Sequence, residues 1–273
     1  ARKEAELRLQ NSYEEIQVQK SIVEEKNREI TDSIKYAKRI QSAILPPIKV
    51  VKDYLNHSFI LYKPKDIIAG DFYWLEQKDN VVLFAAADCT GHGVPGAMVS
   101  VVCNNGLNRS VREHLISDPG KILDKTREIV IKEFDKSEDD VKDGMDIALC
   151  SIENQTLKYA GANNPLWIIR KGELLEIKAD KQPIGKYTKQ LSYTTHQFEL
   201  EAGDTIYIFS DGYVDQFGGE NQKKFKTKQF KELLLKIQDE PMNKQRLIID
   251  ETFELWKGDL EQLDDVCVIG VRI

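Results

Sequence analysis

Residues 81–93, VVLFAAADCTGHG, form an apolar run that stops at an aspartate and is followed by two glycines. Every side chain from 81 to 87 is apolar, which predicts a short strand covered on both faces. Asp88 ends this strand, where a sheet holds a carboxylate firmly and solvent still reaches it. Gly91 and Gly93 permit positive φ and a close backbone approach. The stretch predicts either a ligand-binding turn or a structural turn in which Asp88 stabilises its own backbone.

Acidic residues stand at the ends of three further predicted strands. Asp71 opens an aromatic-rich strand, Asp211 ends the strand in YIFSDG, and both Asp264 and Asp265 precede the last strand, VCVIGVRI. The recurrence favours a cluster of carboxylates that converge on one place. Carboxylate oxygens are the ligands that Mg²⁺ and Mn²⁺ prefer. The sequence therefore predicts a centre for one or more of these ions.

Five spaced motifs carry a resemblance to a known family: PKDIIAGDFYW, ADCTGHGVPGAMVS, GANNPLW, FELEAGDTIYIFSDG and DDVCVIGVRI. In these motifs the sequence resembles the PP2C-like (PPM) metal-dependent serine/threonine phosphatases, in their bacterial stage II sporulation protein E branch. The resemblance covers about residues 46–273. It implies an α+β fold in which a layered β-sandwich of two stacked sheets is flanked by helix pairs, with the metals at one edge.

The resemblance also implies roles for individual residues. Asp88 would bridge two metal ions, Mn²⁺ or Mg²⁺, and the backbone carbonyl of Cys89 would be a further ligand. Asp211 and Asp264 would hold one ion, and Asp71 would act on the other directly or through water. Asp88 and Asp211 are the implied catalytic carboxylates. The implied reaction is attack of a water activated by two metals on a phosphomonoester.

The roles of several neighbouring residues have two interpretations from the sequence. Asp265 is the alternative to Asp264 as ligand, since the two are adjacent in a DDxT-like motif that departs from the family pattern at its last position, Cys267. His92 is either a general acid or a loop residue. Asp143 and Asp146 either help to hold a third, weaker ion or are solvated acids. Residues 161–164, GANN, are typical of a structural turn.

The first 45 residues contain neither Pro nor Gly and show a seven-residue apolar repeat. This repeat indicates a coiled coil. Its d positions are Leu9, Ile16, Val23, Ile30, Ala37 and Ile44, and its a positions are Tyr13, Lys20, Asn27, Ile34 and Gln41. Lys and Asn in the a layer favour a two-stranded pairing, and Pro46 and Pro47 end the helix. The alternative is a single amphipathic helix that lies on its own domain.

This pattern divides the chain into a linker or dimerisation helix, 1–45, and a phosphatase domain, 46–273. Because the helical charge pattern is already complete at residue 1, we expect an upstream sensor domain to precede it. The net charge of −6 argues against nucleic-acid binding, and no apolar stretch or signal peptide indicates direct membrane contact. The four cysteines lie far apart, mostly in apolar runs, which predicts reduced core residues and a cytoplasmic location.

The function predicted from these observations is hydrolysis of phosphoserine or phosphothreonine on a regulatory phosphoprotein. The resemblance implies a STAS-type anti-sigma-factor antagonist as the substrate and signal transduction as the context. Two alternatives stay open. One is a catalytically silent, phosphoprotein-binding scaffold of the same fold. The other is a nucleotidyl cyclase linked to a coiled coil, although the sequence contains no Gly-rich phosphate loop with a Lys.

Overall fold

The structure is a computed structural model that describes residues 2–136 and 142–273. The charged stretch KSEDDVKDG, residues 136–144, predicts a loop, and most of it lies outside the described residues. The helices are α1 (Arg2–Ile44), α2 (Ile48–Tyr54), α3 (Gly93–Arg112), α4 (Pro119–Phe134), α5 (Gly212–Asp215), α6 (Lys226–Ile237) and α7 (Met242–Lys257). The strands are β1 (Ser58–Lys63), β2 (Phe72–Lys78), β3 (Val81–Cys89), β4 (Met145–Glu153), β5 (Thr156–Ala162), β6 (Leu166–Arg170), β7 (Glu173–Ile177), β8 (His196–Glu199), β9 (Thr205–Phe209), β10 (Phe217–Gly218), β11 (Lys223–Lys224) and β12 (Val266–Arg272).

Ten of these strands form two five-stranded antiparallel sheets, in the orders β1-β12-β9-β6-β7 and β2-β3-β4-β5-β8. The sheets stack face to face. Successive side chains of β3 point to opposite faces of its sheet, so this strand has apolar side chains on both faces. Phe84 and Ala86 pack between the two sheets, whereas Leu83, Ala85 and Ala87 pack against α3 and α4. The predicted strand covered on both faces is confirmed, and so is the layered α+β sandwich.

The outer face of each sheet is covered by a helix pair. Helices α3 and α4 bury an apolar cluster against the sheet that contains β3. Helices α6 and α7 cover the other sheet, where Trp167, Phe209, Tyr213 and Phe230 pack ring against ring. All four cysteines are free and buried, as predicted. The two sheets and two helix pairs thus form three continuous layers of apolar packing.

The segment SYTTHQFEL, residues 192–200, forms a shorter strand than its β-branched and aromatic residues predict. The segment 192–200 contributes only β8, because the residues before it bond to other parts of the chain. The backbone N–H of Tyr193 donates to Asp124 Oδ1 at 3.2 Å, and Thr195 Oγ1 donates to Asp118 Oδ1 at 2.7 Å. These bonds tie the segment to α4 and leave a ladder of only four residues with β5.

The long N-terminal helix is confirmed: α1 ends at Ile44, just before Leu45 and two prolines. The chain then enters a second helix, α2, which the sequence did not predict; Pro47 at its N-cap fits that position. None of the described helices is long and apolar enough to cross a membrane.

The two ends of α1 differ in their surroundings. The first four d residues are 57 to 74% exposed, whereas the last turns pack on α3. Gln41, which the heptad places at an a position, is 6% exposed and faces its own domain, so the coiled-coil register does not extend to this end of the helix. Pairing of the upstream part with a second helix, and the division of the chain at residue 45, stay predictions.

Candidate metal centre

The first sheet brings two of the predicted carboxylates together through its antiparallel pairing. Phe72, the first residue of β2, lies opposite Ala87 near the end of β3. Asp71 and Asp88, the residues next to this pair, are therefore neighbours at one end of the sheet. Asp146 near the start of β4 is paired directly with Asp88, so a third carboxylate lies at the same end.

The second sheet supplies the other acids in the same way. Phe209 at the end of β9 pairs with Val268 near the start of β12, and the N–H of Ser210 donates to the Cys267 carbonyl at 2.9 Å. Asp211 follows β9, and Asp264 lies just ahead of β12. Because β3 contacts both β9 and β12 across the sandwich, the acids of both sheets meet at one end.

A close backbone approach sets the position of Asp71. A Cβ atom on Gly70 would lie 2.3 Å from the carbonyl oxygen of Gly91 and 3.1 Å from that of Cys89, so only glycine fits here. Gly91 itself has a φ of 82°, the left-handed conformation that the sequence predicted for this turn. Burial raises the pKa of the Cys89 thiol, which keeps the side chain uncharged. The backbone carbonyl is therefore the group through which Cys89 could contact a cation.

The hydrogen bonds distinguish Asp264 from Asp265. Asp265 is 2% exposed, and its carboxylate accepts from the N–H of Lys65 at 2.7 Å and from that of Gly70 at 2.6 Å. Asp265 thus ties the loop before β2 to the start of β12. Asp264 is half-buried, and its Oδ1 accepts from the N–H of Asp265 at 2.8 Å. This arrangement leaves Asp264 with more oxygen capacity for a ligand than Asp265, and the choice between them as ligand stays a prediction.

Burial and mutual repulsion raise the pKa of three of these carboxyl groups. Burial, followed by repulsion from Asp211, Asp264 and Asp146, raises the pKa of Asp88 to about 8, although a side-chain hydrogen bond with Asp71 acts in the opposite direction. Burial and the charge of Asp88 raise the pKa of Asp71 well above its usual range. The pKa of Asp211 is also raised, mainly because neighbouring groups displace water from its carboxyl group, although the residue keeps an exposed surface. Such mutual repulsion is what a bound cation relieves.

Two observations indicate that these residues suit a divalent cation that prefers oxygen ligands. The Oδ2 atom of Asp71 is buried and has no hydrogen-bond partner among the described residues. The available donors are carboxylate and carbonyl oxygens, the set that Mg²⁺ and Mn²⁺ prefer. Within residues 2–136 and 142–273, no three His, Cys, Asp or Glu side chains already stand in a ligating arrangement. The candidate ligands are the side chains of Asp71, Asp88, Asp211 and Asp264 and the backbone carbonyl of Cys89.

The residues whose roles have two interpretations from the sequence lie around this end of the sandwich. His92 is the N-cap of α3 and is half-exposed; its Nδ1 lies 3.0 Å from Asp66 Oδ2 and its Nε2 3.2 Å from Lys65 Nζ. Asp143 is half-buried, and the next residue, Gly144, accepts a hydrogen bond from the N–H of Thr90 at 3.0 Å. His92 therefore braces the loop before β2, and Asp143 is held close to the end of β3.

Sequence reasoning missed three polar contacts of the acids. Asn163, interpreted as part of a structural turn, donates from Nδ2 to Asp146 Oδ1 at 2.8 Å. A side-chain hydrogen bond from Ser210 acts to lower the pKa of Asp71. Tyr62 Oη donates to the backbone carbonyl of Asp71 at 2.9 Å. Ser210 carries a signal, its place directly before Asp211, whereas the sequence around Tyr62 contains none.

Comparison with known proteins gives one family and several related structures. The family model described as stage II sporulation protein E matches residues 78–273, a range that begins after the motif containing Asp71. The SiaA-PP2C domain of Pseudomonas aeruginosa is 30% identical, with a TM-score of 0.82, over 90% of this chain and 98% of that one. The search of curated proteins found no match.

Two further structures share the fold at lower identity. The PP2C phosphatase domain of SpoIIE from Bacillus subtilis, solved with a fragment of its regulatory domain, is 16% identical, with a TM-score of 0.64, over 79% of this chain and 62% of that one. The serine/threonine phosphatase of S. agalactiae is 18% identical, with a TM-score of 0.56, over 79% of this chain and 99% of that one.

Proposed function

The chain belongs to the stage II sporulation protein E family of PP2C-type phosphatases, and from this premise we propose that it hydrolyses phosphoserine or phosphothreonine on a regulatory phosphoprotein with the help of two Mg²⁺ or Mn²⁺ ions. The observation that carries the proposal is the meeting of acids from both sheets at one end of the sandwich. Asp88 lies among them with a pKa raised to about 8. A fold of this kind has no structural need for such a cluster, since buried like charges cost stability.

The residues that would hold the ions are Asp71, Asp88, Asp211 and Asp264, through their side chains, and Cys89, through its backbone carbonyl. When bound, divalent cations neutralise phosphate oxygens and lower the pKa of water at the site. Asp265 positions the loop that carries Asp71 through its bonds to backbone amides.

Among the described residues, the cysteine and the serine next to the acids are not placed as activated nucleophiles. The thiol of Cys89 is fully buried within the apolar cluster beneath α3, and its raised pKa keeps it protonated. Ser210 accepts a hydrogen bond from the N–H of Cys267 at 3.0 Å, which holds its hydroxyl between the strands. These placements favour direct attack by water over a covalent phosphoenzyme.

The surroundings of the acids suit a protein substrate. Val94 and Met98, in the first turns of α3 after His92, are 45% and 63% exposed. Asp211 is also exposed. Apolar side chains at the mouth of a polar site provide contact area for a folded phosphoprotein. We propose a STAS-type anti-sigma-factor antagonist as that substrate.

We further propose that α1 forms a homodimer and connects the phosphatase domain, 46–273, to a sensor upstream. The apolar stripe of Leu9, Ile16, Val23 and Ile30 supports this, because all four side chains are more than half exposed. An exposed heptad stripe of this length is typical of a two-stranded coiled coil. In such an arrangement the helix would transmit a signal to the domain on which its last turns pack.

The first test is hydrolysis of p-nitrophenyl phosphate with Mn²⁺, Mg²⁺ or a chelator. Three variants each remove one carboxylate: Asp88→Asn and Asp211→Asn at the centre, and Asp79→Asn as the matched control. Asp79 lies in the turn between β2 and β3 with a φ of 53°, which Asn tolerates. We expect activity only with metal, a loss of about 100-fold or more in the two central variants, and no change in the control.

Calorimetric titration with Mn²⁺ completes the test. A parent protein that binds Mn²⁺ but leaves p-nitrophenyl phosphate intact would retain the metal centre and call for a phosphoprotein substrate. A parent that neither binds Mn²⁺ nor hydrolyses the ester would contradict the proposal, and the scaffold alternative would replace it.

A further inference from the structure

A cavity of about 480 Å³ lies where the end of α1 meets the phosphatase domain, and the function proposed above does not use it. Its volume is within the range of small-molecule sites. Asn104 lies eleven residues after the first residue of α3, Gly93, and thus roughly 17 Å along the helix from the end that carries the metal centre. The lining combines apolar residues, such as Ile44, Leu45 and Leu75, with polar ones, such as Gln77, Asn104 and Arg112.

A chain of hydrogen bonds in the wall of this cavity ends in an unused donor. Trp74 Nε1 donates to Asn108 Oδ1 at 2.9 Å, and Asn108 Nδ2 donates to Asn104 Oδ1 at 2.9 Å. An indole N–H can only donate, so it fixes the orientation of the Asn108 amide, and that amide fixes the orientation of Asn104. The Nδ2 atom of Asn104 is therefore a donor. It is buried, and it has no partner among the described residues.

The charged groups of the cavity narrow the ligand chemistry. Arg112 donates from Nε and Nη2 to Glu76 Oε2 at 3.1 and 2.7 Å, so the cation at the cavity is already neutralised by an acid. A charged carboxylate would therefore gain little here and would lose hydration. A small neutral molecule with an oxygen acceptor matches the unused amide donor and walls that are partly polar and partly apolar.

We propose that this cavity binds a small neutral molecule whose carbonyl oxygen accepts a hydrogen bond from Asn104 Nδ2. The ligand would touch Ile44 and Leu45 at the end of α1 and Asn104 on α3 at the same time. A bound ligand would therefore contact both the N-terminal helix and the helix that follows the metal-binding turn. The site is separate from the proposed catalytic centre, and its binding can be measured without any activity.

The test uses benzamide as the probe and toluene as its counterpart without an acceptor. Binding is followed by the NMR signal of the Trp74 indole N–H, which begins the hydrogen-bond chain. Asn104→Leu removes the donor at similar volume. Ala43→Phe places a ring at the mouth of the cavity on an exposed helix position, and Ser42→Phe makes the same change at a neighbouring exposed residue outside the lining.

We expect benzamide at millimolar concentration to shift the Trp74 signal in the parent and in Ser42→Phe. It should not do so in Asn104→Leu or Ala43→Phe. Toluene should bind about fivefold more weakly, since it forms no hydrogen bond. Binding that persists in Ala43→Phe, equal binding of toluene, or an unchanged signal in the parent would overturn the proposal; the last result would assign the Asn104 donor to a buried water. If Asn104→Leu does not fold, the two Phe variants decide.

Discussion

Gln41 on α1 is hydrogen-bonded to the backbone of Ala69 through both ends of its side-chain amide. Its Nε2 donates to the Ala69 carbonyl at 2.5 Å, and its Oε1 accepts from the Ala69 N–H at 3.1 Å. The same Nε2 lies 3.1 Å from Ser100 Oγ on α3. Ala69 directly precedes Gly70 and Asp71, so one buried amide connects the N-terminal helix to the loop that carries a proposed metal ligand.

Replacing Gln41 by Met keeps the length of the side chain and removes both bonds to Ala69. Because a buried peptide N–H and C=O would then lack partners, we expect the free energy of unfolding to fall by about 2 kcal/mol. The affinity for Mn²⁺ should fall several-fold, since Asp71 is no longer held in place. Gln19→Met, at an exposed position of the same helix, is the control and should change neither quantity. Denaturation with chelator and calorimetry with Mn²⁺ measure the two effects; a loss of stability with unchanged affinity would make Gln41 purely structural.

Asp264 and Asp265 should respond in opposite ways to the same substitution. Asp265→Asn replaces an acceptor of backbone N–H groups with an amide, so we expect a loss of roughly 1.5–3 kcal/mol in the free energy of unfolding. Asp264→Asn removes a proposed ligand and should abolish high-affinity Mn²⁺ binding with little effect on metal-free stability. Urea denaturation and Mn²⁺ calorimetry on both variants check this. The reverse pattern would assign Asp265 as the ligand.

The fold and the positions of the acids could be predicted because both depend on local sequence signals. The apolar composition of residues 81–87 is enough to predict a buried strand, and the sequence shows directly that an acid, Asp88, follows it. Antiparallel pairing then places Asp71 beside Asp88 with no further information. The second sheet was predicted only from the resemblance of the five sequence motifs to a known family.

Contacts between distant segments could not be predicted in the same way. Gln41 occupies a heptad position, yet it faces α3. One reason is geometric: a straight helix drifts about 20° per heptad relative to a seven-residue repeat, which amounts to roughly 100° between Leu9 and Ile44. The roles of Asn104 and Tyr62 likewise depend on partners far along the chain, and single residues give no periodic signal.

The exposed stripe of α1 predicts that a single charge will dissociate the proposed dimer. Ile16 and Val18 are 59% and 58% exposed, but only Ile16 lies on the heptad stripe. We expect Ile16→Lys to raise the dimer dissociation constant at least about tenfold, because a buried d position disfavours charge, and Val18→Lys to leave it nearly unchanged. Analytical ultracentrifugation over a range of concentrations measures both. Equal effects of the two substitutions, or a monomeric parent, would refute the coiled coil.

The raised pKa of Asp88 predicts how the stability of the metal-free protein depends on pH. The group has a pKa of 3.8 when unperturbed and about 8 in the folded chain. Between these values the folded protein keeps a proton that the unfolded chain has released. The free energy of unfolding should therefore fall as the pH rises from about 4 to about 8, and level off above.

Asp88→Asn removes this linkage, since Asn does not titrate. In urea denaturation with chelator we expect the parent to lose on the order of 2 kcal/mol between pH 5 and pH 8 relative to Asp88→Asn, which should be the more stable of the two at pH 8. Asp79→Asn should keep the slope of the parent. Added Mn²⁺ should restore the stability of the parent at pH 8 and leave Asp88→Asn nearly unaffected, because only the parent carries the full set of carboxylates. Parallel pH profiles for the parent and Asp88→Asn would show that Asp88 is already ionised in the folded protein.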